Sequence, residues 1–132
     1  MTSIEKSSFP TTLIIKATER DRTQVALVID NETSVLDEPL RAQELPAMIE
    51  RLLKKKGCNI TDIKRVVVDN EPGSLTAVRI GVTTANTLAW SRKVPVIEMP
   101  GLSIDSVARD LETNELDERS TAKVKLPSLP NN

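Results

Sequence analysis

The sequence predicts an α/β fold in one domain, with strands and helices in the order β-β-β-α-β-α-β-α and a mixed sheet of about five strands. Three observations carry this reading. Aliphatic, partly β-branched runs of strand length occur at Leu13-Ile14-Ile15, Gln24 to Ile29 and Val66-Val67-Val68. Gln43 to Lys56 repeats apolar residues at helical spacing. A Pro72-Gly73-Ser74 turn then joins the last of these strands to a long, almost uncharged helix. At 132 residues the chain has room for one core but not for two full α/β halves.

Taken in order, residues 1–10 are polar and Ser-rich and read as a flexible leader, and residues 11–112 as the folded domain. Thr11 to Thr18 and Gln24 to Ile29 read as strands separated by the polar turn Glu19 to Arg22; Asp30-Asn31-Glu32 turns the chain into a third strand through Val35 and Leu36. Strands joined by such short turns form an antiparallel meander. In the first helix Leu45, Met48, Ile49, Leu52 and Leu53 form one apolar stripe, Pro46 fits the first turn and Gly57 stops it. Lys64 to Val68 is apolar enough to be a central strand buried on both faces.

Ser74 is placed to cap the helix that begins at Leu75. On a helical wheel, Leu75, Val78, Val82, Ala85 and Ala89 share one face and Ala77, Ile80, Gly81, Thr84 and Leu88 the adjoining one, leaving Arg79, Thr83, Asn86 and Trp90 on a narrow arc. So broad an apolar surface predicts two covers, a sheet on one side and a second helix or chain on the other. Val94 to Met99 reads as a parallel strand and Ser103 caps a helix through Leu111. Residues 113–132 are a polar tail in which Thr121 to Leu126 alternates as a candidate edge strand.

Composition removes several functions. The net charge is −1 and only two residues are aromatic, Phe9 and Trp90, so the chain offers neither a phosphate-neutralising patch nor a stacking platform; direct nucleic-acid binding is not expected. It has no histidine, which removes Ser-His-Asp and Cys-His catalysis and His-based metal sites. Cys58 is the single cysteine, so it forms no internal disulfide and is read as a buried filler. No apolar run has membrane-spanning length and no signal-peptide core is present, which predicts a cytoplasmic protein.

Pro72-Gly73-Ser74-Leu75-Thr76-Ala77-Val78-Arg79-Ile80-Gly81 resembles the PGSFTGLRIG signature of the bacterial TsaB (YeaZ) family, and Thr84-Ala85-Asn86 continues its helix. It departs at Glu71 and Ala77, where the family usually has glycine. The resemblance covers roughly Thr11 to Leu111 and corresponds to the family's N-terminal half. It implies the ribonuclease-H-like half of the actin, sugar kinase and heat-shock ATPase superfamily. It also implies a non-catalytic subunit that supports a TsaD-type enzyme in threonylcarbamoyladenosine modification of tRNA, with no catalytic residue, cofactor or metal of its own. In the family the two helices bundle with those of TsaD or of a second TsaB. The implied interface is Leu45, Met48, Leu52, Leu75, Val78, Val82 and Ala85, with Arg79 as a polar anchor, in a heterodimer or a homodimer.

Phosphate chemistry is the competing reading. A Gly-containing turn between strand and helix can attract an anion, and Lys16, Thr18, Gly73 and Ser74 are the candidates near one. Lys16 stands where the superfamily's strand-one Asp would organise magnesium, and Glu71 opposes an anion at the turn. The alternatives are therefore a reduced nucleotide-binding phosphotransferase-like domain, or a structural homodimer unrelated to tRNA modification.

Overall fold

The structure, a computed structural model, describes residues 11–112 and a strand at Lys123–Lys125; the expected leader at 1–10 and the rest of the polar tail lie outside the described residues. Strands β1 (Thr12–Glu19), β2 (Arg22–Ile29) and β3 (Glu32–Glu38) form the expected antiparallel meander. Helix α1 (Leu45–Lys55) follows a 3-10 turn at Ala42–Glu44 and carries Pro46 in its first turn. Next come β4 (Arg65–Val68), α2 (Leu75–Arg92), β5 (Val96–Glu98), α3 (Ile104–Glu112) and β6 (Lys123–Lys125). The sheet order is β3-β2-β1-β4-β5-β6, with β1, β4 and β5 parallel and β6 antiparallel to β5. The sixth strand falls within the segment that alternates in sequence and adds an edge to the five-stranded core of the fold.

Strand alternation splits the core between the two faces of the sheet. Leu13, Ile15, Val25, Leu27, Val66 and Val68 pack with α1 and α2. Ile14, Ala26, Val28, Val67 and Ile97 pack with Val107, Ala108 and Leu111 of α3. All four residues of β4 are buried, the three valines as their apolar run predicts and Arg65 with its Nε donating to Thr12 Oγ1 at 3.3 Å. Cys58 is half-buried rather than buried, and desolvation, reinforced by Asp62, holds its thiol above the usual range.

Helix α2 meets the sheet along neither of the two broad wheel faces but along the row between their centres, Ala77, Gly81, Ala85 and Ala89. The reason is distance. A Cβ added to Gly81 would sit 3.2 Å from the Ala17 Cβ and 3.7 Å from Ile15 Cγ2, so the helix lies closer to β1 than larger side chains allow. Val78, Ile80, Val82, Thr84 and Leu88 are half-buried on its flanks, while Leu75 is 70% and Trp90 40% exposed.

The edge strand β3 is tied back by two bidentate pairs: Arg22 donates to both oxygens of Asp37 at 2.9 and 2.6 Å, and Arg51 to both of Glu38 at 3.0 and 2.7 Å. The arginine hydrogen bonds hold both carboxyls below their ordinary values.

Two outcomes follow from this packing. Gly81→Leu should lower the unfolding free energy by about 2 kcal/mol through overpacking against β1, measured by urea denaturation. Depressed carboxyls contribute stability above their unfolded pKa and lose it as pH falls through the folded value. The urea midpoint should therefore drop as pH is lowered below about 4, and Asp37→Asn with Glu38→Gln should flatten that part of the curve.

Candidate functional site

The residues singled out in sequence converge at the carboxyl ends of β1 and β4, the end of a parallel sheet where loops gather. Val68 closes β4, and the chain passes through Asp69, Asn70 and Glu71 into the Pro72-Gly73-Ser74 turn. The turn lies directly on β1. Ser74 N–H donates to the Thr18 carbonyl at 2.9 Å, and a Cβ on Gly73 would stand 2.4 Å from that same oxygen. Only glycine fits there. The β1–β2 register is irregular between Lys16 and Glu19, the stretch that contains Thr18. Ser74 caps α2 as expected, its Oγ accepting Ala77 N–H at 3.4 Å, a contact typically worth about 1 kcal/mol.

Lys16 is engaged on the α3 side of the sheet. Its Nζ donates to Asp69 Oδ2 at 2.7 Å and to the Leu102 carbonyl at 3.0 Å. The Asp69 side chain has no exposed surface, and its Oδ1 accepts N–H groups from Glu71 at 2.8 Å and Gly101 at 2.9 Å. The four candidates near phosphate are thus divided in role. Thr18, Gly73 and Ser74 meet through backbone contacts that start α2, while Lys16 neutralises a buried carboxylate. Asp69 is the residue that sequence reasoning missed. The available signal was an acidic residue directly after the Val66-Val67-Val68 run, with a lysine in the adjoining strand to match it.

A cavity of about 350 Å³ lies beside the start of α2, lined by Arg20, Arg41, Ala42, Gln43, Ser74, Thr76 and Ala77. Arg41 is weakly paired there, 4.0 Å from Asp21. Along the outer side of α2, Thr76, Arg79, Ile80, Thr83 and Thr84 line a shallower groove of about 290 Å³. Among the described residues no group of three or more His, Cys, Asp or Glu side chains could hold a metal, and no helix is long and apolar enough to cross a membrane.

The helix seam needs a correction. Leu45, Met48 and Ala85 are 0% exposed and Leu52 is 1% exposed, so these four are core residues and not partner contacts. A stripe that alternates with polar residues is satisfied first by the chain's own sheet. The exposed remainder of the proposed seam is Leu75 and Arg79, with Val78 and Val82 half-buried beside them.

An antiparallel meander continued by parallel strands, with helices on both faces, defines a ribonuclease-H-like α/β domain. Residues 40–118, more than half the chain, match the family model described as "TsaD: tRNA N6-adenosine threonylcarbamoyltransferase". The tRNA threonylcarbamoyladenosine biosynthesis protein TsaB of Bacillus subtilis is 51% identical over 41 residues, which are 31% of this chain and 18% of that protein. TsaB of Haemophilus influenzae is 27% identical over 95 residues, 70% of this chain and 40% of the relative. The solved structure of YeaZ from Pseudomonas aeruginosa superposes with a TM-score of 0.66 at 24% identity, covering 83% of this chain and 51% of that one, a likeness of fold. The chain belongs to the family that this model describes, on its TsaB (YeaZ) side. It spans about half of the solved relative and less of the curated ones.

Replacing Gly73 tests how firmly the turn seats the helix. Gly73→Ala forces its Cβ against the Thr18 carbonyl and should lower stability by about 2 kcal/mol, with loss of α2 helicity ahead of global unfolding in hydrogen exchange.

Proposed function

We propose that the chain is a non-catalytic, TsaB-like subunit that binds and supports a TsaD-type enzyme in the threonylcarbamoyladenosine modification of tRNA. The relatives' shared description supports the pathway. The observation that carries the binding role is the outer face of α2, where Leu75 and Trp90 stand exposed and the half-buried Val78 and Val82 flank Leu75 and Arg79. An apolar patch left in water and rimmed by polar residues marks an association site. In this reading the partner is the TsaD-type enzyme, and a second copy of the chain takes its place when the enzyme is absent. The setting is cytoplasmic, and tRNA is met through the enzyme rather than by this chain.

The phosphotransferase reading is weakened by Lys16, whose ammonium is committed to Asp69 and Leu102 rather than turned toward Ser74. The chain should show no magnesium-dependent ATP turnover above a mock preparation, and a gel shift at physiological salt should leave tRNA free.

Two substitutions separate the partner face from the sheet face. Leu75→Glu should stay folded by circular dichroism and weaken association by at least tenfold, read by sizing and copurification with a TsaD-type enzyme. Ala85→Glu places a charge against the sheet and should abolish the fold. Wild-type protein that stays monomeric with and without the enzyme would refute the proposal.

A further inference from the structure

The cluster around Asp69 has the construction of a ligand seat. Its carboxylate is fully removed from solvent and is aimed by two amides: Glu71 N–H and Gly101 N–H both donate to Oδ1, which leaves Oδ2 facing one way. Oδ2 and the Leu102 carbonyl oxygen converge on a single nitrogen, at 2.7 and 3.0 Å. That nitrogen is supplied by β1, a segment remote in sequence from both acceptors. We infer that Asp69 and the Leu102 carbonyl form a primary-ammonium seat, occupied in the native chain by Lys16 acting as a tethered ligand.

Chemistry fixes the class of occupant. The amides orient the carboxylate but leave its charge in place, and a desolvated carboxylate needs a cation. The two oxygens stand at hydrogen-bond lengths from the cation. Oxygen ligands approach magnesium at about 2.0–2.1 Å and calcium at about 2.3–2.6 Å, and among the described residues no cluster of acidic, His or Cys side chains of metal-binding size adjoins Asp69. An ammonium fits where a divalent ion lacks ligands. The Glu71 carboxylate lies beside Gly101, its Oε1 3.2 Å from where a Cβ of Gly101 would sit, and adds a second negative group near the seat. The Lys16 side chain keeps 24% of its surface exposed, so a path from solvent runs along its stem.

The seat makes a specific claim: what the node requires is the cation, and the lysine stem only delivers it. Lys16→Ala removes the three carbons and the nitrogen that n-propylammonium contains. The variant should melt lower than wild type by on the order of 10 °C, and saturating n-propylammonium chloride should raise its melting temperature by about 5 °C. Wild type, whose seat is filled, should not respond. Lys16→Ala combined with Asp69→Asn should fold and should also not respond. If Lys16→Ala does not fold unaided, refolding from urea should succeed with n-propylammonium and fail with sodium. The inference is overturned if n-propanol or sodium rescues as well as the amine, since the gain is then cavity filling or ionic strength. It is equally overturned if magnesium rescues and the amine does not, if the double variant keeps the amine response, or if no amine restores the single variant.

Discussion

The arrangement depends on how closely α2 can lie on β1. Gly73 abuts the Thr18 carbonyl at the start of the helix, and Gly81 meets Ala17 two turns later. Between and beyond them only alanine faces the sheet, at Ala77, Ala85 and Ala89. This row of small residues lowers the helix into contact with the strand, at a height where bulkier side chains must lie to either side. The flanks are therefore branched and half-buried, and the outermost arc carries Leu75 and Arg79 in the open. The outward face of α2 is set by what the opposite side had to be.

The second dependency is electrostatic. Beside the Met99 N–H to Val68 carbonyl bond and the Asn70 to Glu98 bond, Asp69 joins the β4–α2 turn to the β5–α3 loop by accepting an amide from each, and Lys16 anchors that carboxylate to β1. The helices on opposite faces of the sheet thus begin from loops that share one charge pair. Removing either partner of such a pair leaves the other charge buried, so Lys16 and Asp69 have to be considered together. Lys16 in β1 has a structural use that a comparison with a magnesium-organising aspartate does not bring out.

Most of the architecture was legible in sequence because it is encoded locally. The meander follows from short polar turns between aliphatic runs, and the cap and break at Pro72-Gly73-Ser74 follow from side-chain chemistry at those positions. What was not legible depended on distance between segments. The wheel ranked α2 positions by apolar size, whereas contact with β1 selected smallness, so Ala77 and Gly81 moved to the centre and Leu75 to the outside. Leu45, Met48 and Leu52 form a stripe that is identical in sequence whether a sheet or a partner covers it. Asp69 gave only a faint pattern, an acidic residue after an aliphatic run, since Lys16 and Gly101, two of its partners, are distant in sequence. The i, i+4 spacing of Ala77, Gly81, Ala85 and Ala89 was the one sequence signal that could have oriented the helix.

The edge strand β3 bears on how copies of the chain behave at high concentration. A seven-residue edge strand with Val35 42% exposed offers unpaired backbone groups to any neighbour. Antiparallel pairing of two such edges centred on Val35 would set Glu32 of each copy against Glu38 of the other, at both ends of the new ladder. Like charges directly opposite one another destabilise a strand pair. The strand that closes one side of the sheet is thereby a poor template for its own extension, which favours a finite particle over a growing one.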